Sequence, residues 1–277
     1  MSILKYALAA TTGLALLATA GAATAAPFTF NPSLSNPALS NGGFFTADDI
    51  IFSQYSSINI ANNGSFTESG VLRVANFQFN GAPLLPNGYN STGSATAYSL
   101  YITFIGTGTS SGANPGATGV FTTLTANLYG DLGNNNGALV VNQSGATFAN
   151  GTAGDPLLAT GALQSGTVSL GQNPNPLGSS PVLPSAFVLV NFTDTQPGAG
   201  GFFVNPSTLQ FNLNSSFTNS DSVTTLVTTT TGIDLQVRGG GGNGTITAIA
   251  SPVPEPMSLA LLGAGLAAVG LVRRRRA

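Results

Sequence analysis

The sequence predicts an all-β fold, and three observations carry that expectation. Apolar and polar residues alternate at a period of two in several segments, the pattern of a half-buried strand. Asn-Gly pairs recur seven times, and they suit type I′ hairpin turns because both central positions need positive φ. No segment of the body sustains an apolar stripe at a 3.6-residue period. The expected architecture is a single large antiparallel β-sandwich or jelly-roll-like body, flanked by an N-terminal signal peptide and a C-terminal apolar helix.

The strands follow in order. Tyr98, Leu100, Ile102 and Phe104 fall on one face, with Ser99, Tyr101 and Thr103 opposite. Leu124, Ala126 and Leu128 alternate with Thr125 and Asn127. Leu209, Phe211 and Leu213 alternate with Gln210, Asn212 and Asn214, and Ile233, Leu235 and Val237 with Asp234 and Gln236. Residues 186–192 are apolar except for Asn191 and are expected as a central strand covered on both faces. Residues 172–184 carry four prolines and are expected as a long surface loop or a hinge between halves. Thr224–Thr231 is expected to be a strand with an exposed Thr face. Residues 239–244, five Gly and one Asn, are expected to be a flexible hairpin loop.

Composition narrows the chemistry. Of the 277 residues only 6% are charged, against about 25% in an average soluble domain. The chain has no Cys, His or Trp, which removes disulfides, thiol nucleophiles and every His-dependent catalytic arrangement. Between the terminal segments lie eight acids and two bases, Arg73 and Arg238. Such a body cannot neutralise a phosphate backbone, so nucleic acid is excluded as a partner.

Both ends read as addresses. Residues 1–25 form a signal peptide: Lys5 supplies the positive start, an Ala/Leu-rich stretch follows, and Ala23-Thr24-Ala25 gives a small-x-small cleavage site for signal peptidase. The body occupies 26–250. Residues 251–277 contain Val253-Pro254-Glu255-Pro256, an uncharged apolar segment over 257–272, and Arg273, Arg274, Arg275 and Arg276. Sixteen residues make about 24 Å of helix, short but close to a membrane span. The four arginines would keep that end cytoplasmic, leaving the body outside.

This tripartite tail resembles the PEP-CTERM sorting signal of Gram-negative, biofilm-forming bacteria. The resemblance implies processing by an exosortase, a membrane cysteine transpeptidase that cuts near the motif. The protein would be transiently anchored through the C-terminal helix and would then reside at the cell surface or outside it. Residues 42–50, followed by Asn63-Gly64-Ser65-Phe66, are similar to the start of flocculation-associated PEP-CTERM proteins, with Asp49 where those carry Lys.

Three constellations are candidates for chemistry. Gly239, Gly241 and Gly244 have the spacing of a dinucleotide loop, but residues 245–249 read as a strand, so no helix N-terminus follows and no cofactor is expected. Asp48 and Asp49 with Glu68 are the carboxylates from which a glycosidase pair would be drawn. Asp131, Asn134 and Asn135 sit in an oxygen-rich loop that is a candidate for calcium, although its spacing departs from the EF-hand. Tyr55, Tyr89 and Tyr129 are candidates for stacking on sugars. The expected function is structural or adhesive: a non-enzymatic surface or extracellular-matrix protein in biofilm or flocculation, contacting polysaccharide or sister surface proteins. The alternative is a carbohydrate- or calcium-binding module with a discrete site.

Overall fold

The computed structural model describes residues 27–39, 43–172, 182–196, 201–204, 208–216 and 223–248. Two single-turn 3₁₀ helices, Pro32–Leu34 and Pro37–Leu39, interrupt an otherwise β chain. The strands are β1 (Phe28–Phe30), β2 (Phe45–Ala47), β3 (Asp49–Ala61), β4 (Ser65–Phe79), β5 (Ala82–Leu84), β6 (Tyr98–Ser110) and β7 (Thr118–Leu132). They continue with β8 (Leu139–Asn142), β9 (Gly145–Phe148), β10 (Leu157–Gln172), β11 (Val182–Asp194), β12 (Thr208–Ser216), β13 (Val223–Thr228) and β14 (Gly232–Ala248).

Eight of these strands run β3-β4-β6-β7-β10-β11-β12-β14, each antiparallel to its neighbours, and β14 returns to β3. The all-β expectation holds, but the architecture is a closed up-and-down barrel rather than a sandwich or jelly roll. A period of two reports only that each strand has one buried face, which both architectures share. Closure is decided by β14, which pairs β3 along its length on one edge. Its other edge is covered by β13 in the first half and by β12 in the second.

That strand contains the glycine run. Gly240–Gly244 lie opposite Gln54–Ile50 of β3, and Gly242–Gly244 also pair β12. The expected hairpin loop is therefore a strand, and Asn243-Gly244 is not a turn. Gly239, with φ of +70°, takes up a bulge between Arg238 and Gly240. Glycine is required for packing at 242: a Cβ there would lie 2.3 Å from the Phe52 ring, and Phe52 fills the barrel. Gly242→Val is accordingly expected to destabilise by about 1–3 kcal/mol through overpacking, read as a lowered thermal midpoint. Gly241→Val, whose Cβ meets nothing within 4 Å, is the control.

The remaining expectations sort by the same geometry. Val188, Val190 and Phe192 of β11 face the interior while Phe187 is exposed, so residues 186–192 are covered on one face only. The strand expected at 224–231 ends at Thr228, and residues 229–231 form the turn into β14. β10 pairs β11 from Gln172–Val182 to Ala159–Asp194, and the sheet is continuous across the Pro-rich connection. Residues 173–181 of that connection lie outside the described residues. Asn80-Gly81 joins β4 to β5 with both φ values positive, at 52° and 74°, as a type I′ turn demands.

One end of the barrel is closed by aromatic rings. Phe30 of β1 lies 5.1–6.0 Å from Phe45, Phe77, Phe202 and Phe203, ring centre to ring centre. Tyr89 and Tyr98 extend the cluster from Phe77. Across the outside of β3, β4 and β14 lies the β8–β9 hairpin. It buries Phe148 against Tyr101 and Val71, and its Val141 carbonyl accepts from Arg238 Nη2 at 3.0 Å.

Candidate functional site

Among the described residues the barrel interior is apolar except for one cluster. Gln54 and Ser56 of β3 and Glu68 of β4 alternate in register with Phe52, Ile58, Phe66 and Leu72, and all point inward. Gln54 Nε2 donates to Glu68 Oε1 at 2.7 Å and to Ser56 Oγ at 3.0 Å. Burial pushes the Glu68 carboxyl up to about 7, against the lowering effect of its hydrogen bonds with Ser56 and Gln54. Two cavities of ≈ 40 and ≈ 30 Å³ both touch Gln54 and Glu68. Such volumes suit buried water, which needs about 10–15 Å³ with polar partners, rather than a bound organic molecule.

The carboxylates considered for a glycosidase pair do not meet. Glu68 lies opposite Ile58, and Asp49 stands nine residues back along the same strand, about 30 Å away at 3.3 Å per residue. Asp48 Oδ2 accepts the Asn80 backbone N–H at 2.8 Å, fastening the β4–β5 turn. Asp49 is held above the usual carboxyl range by desolvation, opposed by a hydrogen bond with Thr245.

The Asp131 loop is organised around itself. Asp131 Oδ1 accepts the Asn135 N–H at 2.9 Å, and Oδ2 accepts from Ser99 Oγ at 3.1 Å. Asn134 Oδ1 accepts from the Arg73 guanidinium at 3.0 Å, and the Asn135 carbonyl accepts from Asn150 Nδ2. These oxygens thus brace the turn rather than converge on a common point. Burial raises the Asp131 carboxyl, and its hydrogen bonds oppose the rise. The structure adds a residue that spacing alone did not reveal: Asp155 Oδ2 accepts from Asn136 Nδ2 at 2.6 Å and from Tyr101 OH at 2.8 Å. Among the described residues no three carboxylates gather at one place.

The tyrosines divide. Tyr89 is core, its hydroxyl donating to the Val74 carbonyl at 2.6 Å, and burial raises its pKa well above the ordinary value. Tyr129 is half-buried and stacked on Tyr101 at 5.2 Å. Tyr55 is half-buried on the outer face of β3.

The outer wall is uncharged over a wide area. Register places Thr103, Asn127, Thr160, Thr193 and Thr208 side by side across β6, β7, β10, β11 and β12. The next row reads Ile105, Thr125, Ala162, Asn191 and Gln210. Strands spaced about 4.8 Å apart make each row a regular comb of hydroxyl, amide and methyl groups.

The expected addresses, Ala23 and Ala25, the motif 253–256, the apolar segment 257–272 and Arg273–Arg276, lie outside the described residues. Among the described residues no helix is long and apolar enough to cross a membrane. β1 pairs β2 immediately before β3, and the last residue of β14, Ala248, pairs Leu209 at the aromatic-plugged end. The first and last described strands thus meet that end of the barrel. Neither curated proteins nor solved structures give a match to the chain. Residues 252–276 match the PEP-CTERM protein-sorting motif, and the chain is on that account an exported surface protein sorted by an exosortase, held by its C-terminal signal before release.

Proposed function

We propose that the barrel is a non-catalytic structural or adhesive component of the cell surface or extracellular matrix, acting in biofilm or flocculation. The observation that carries the reading is the uncharged Thr/Asn outer wall on a body that the sorting motif sends to the surface. Hydroxyls and amides both donate and accept, so the same face can meet neutral polysaccharide or the wall of a sister protein. Each contact is weak, and many copies on one surface supply avidity. With so few charges, neither repulsion nor ionic screening governs the contact. The separation of Asp48 and Asp49 from Glu68 supports the non-catalytic part of the reading.

The test compares host cells carrying the full-length chain with cells in which Arg273–Arg276 are replaced by Ser. Loss of surface protein together with loss of cell settling is expected in the variant. Settling in the wild type should be equal in low and high salt. Settling that is unchanged when the whole gene is deleted would overturn the adhesive reading while leaving the sorting assignment in place.

A further inference from the structure

At the end of the barrel opposite the aromatic plug, a cleft of ≈ 560 Å³ opens between the β3–β4 turn, the β13–β14 turn and the tip of the β8–β9 hairpin. Its volume falls in the range of about 300–1,000 Å³ typical of small-molecule sites. The polar lining includes Asn59, Thr67, Thr107, Gln143, Thr231 and Asp234, and no Lys or Arg is among the lining residues.

Asp234 is the unusual member. Only 4% of its surface is exposed. Oδ1 accepts from Ser57 Oγ at 3.0 Å, while Oδ2 is buried without a partner. An unanswered buried acceptor is costly, about 1–3 kcal/mol, and Asp234 is among the residues that line the cleft. Asn59, directly opposite Asp234 in the ladder, holds its amide by two long contacts of 3.4 Å, to Ser57 Oγ and the Gln143 carbonyl. Its hydrogen-bonding capacity is therefore only loosely engaged.

We infer that this cleft binds a neutral sugar residue. The lining selects the class. One carboxylate without a second is too few hard oxygens for a calcium cage, and the absence of a cation leaves phosphate and carboxylated ligands unpaired beside Asp234. Amides and hydroxyls that both donate and accept match a polyol, whose hydroxyls do the same. Ile60 and Ile233, which also line the cleft, offer an apolar floor to the C–H face of a sugar ring. β3 runs thirteen residues from the plugged end, where β14 ends at Ala248, to the cleft, about 40 Å at 3.3 Å per residue. The assignment stands on the cleft itself and does not depend on cell adhesion.

The test titrates the exported protein with methyl β-D-glucoside, methyl β-D-galactoside and N-acetyl-D-glucosamine, with D-glucuronate as the charged control. Amide chemical shifts report where each probe sits. At least one neutral probe is expected to shift Asn59, Thr231 and Asp234 saturably, and glucuronate is not. Asp234→Asn should weaken that probe roughly tenfold or more, the loss of a hydrogen bond to a charged group. Gln143→Ala and Thr231→Val alter exposed positions, so they retain the fold if Asp234→Asn does not, and each should weaken binding several-fold. Absence of any saturable shift at the cleft, binding of glucuronate alone, or affinity unchanged in both surface variants would overturn the assignment.

Discussion

Replacing Glu68 by Gln is expected to stabilise the barrel at alkaline pH and to leave it almost unchanged near pH 4. The carboxyl is fully enclosed, and burial lifts it from 4.5 to about 7. A raised folded value means that the folded state holds its proton more tightly than the unfolded chain does. The group's contribution is therefore most favourable below pH 4.5, declines as pH rises through the interval up to about 7, and is flat above it. At about 1.4 kcal/mol per unit the decline approaches roughly 3 kcal/mol. Gln keeps the shape and the contacts of the protonated acid while carrying no charge at any pH. Denaturant midpoints measured across pH 4–9 should fall for the wild type and stay nearly level for Glu68→Gln, with the two curves meeting at the acid end. Asp49 and Asp131, whose carboxyls are also raised by burial, add smaller slopes of the same sign to both proteins. Curves that run parallel at every pH would mean that Glu68 reaches water in the folded barrel.

The sequence made the strands legible because each buries one face, and it left the closure of the barrel illegible because closure depends on distant partners. Leu209, Phe211 and Leu213 announce an inward face, and the structure buries all three. Nothing in Arg238-Gly239-Gly240-Gly241-Gly242 announces a strand, since glycine has low β propensity. There the bulk of Phe52 and the hydrogen bonds of β3 and β12 on either edge override local preference. Glu68 shows the opposite failure. Phe66, Glu68 and Leu72 share one face by strict alternation, so strand period places the carboxyl inside, although polarity alone would place it in solvent. The Asp131 loop was legible as oxygen-rich, but not as self-satisfied, because Arg73 and Asn150, which answer its oxygens, are remote in sequence. The cleft at Asp234 had no local signal, being assembled from two turns and a hairpin tip far apart along the chain.

Phe30→Ala is expected to be the most damaging single truncation in β1, at about 3–5 kcal/mol. The ring is 1% exposed and meets four other aromatic rings at once. Aromatic pairs add about 0.5–1.5 kcal/mol each beyond the area they bury. Phe30 also seats a backbone junction, since it bridges Phe203 and the adjacent Asn31 N–H donates to the Phe202 carbonyl at 2.8 Å. Loss of the side chain therefore loosens two segments, β1 and residues 201–204, that hold each other in place. The adjacent Thr29 is the comparison: its hydroxyl pairs with Thr46 Oγ1 at 3.0 Å, and Thr29→Ala should cost about 1 kcal/mol. Equilibrium unfolding of the two variants is the measurement. A loss below about 1 kcal/mol for Phe30→Ala would show that the plug is not part of the cooperative core.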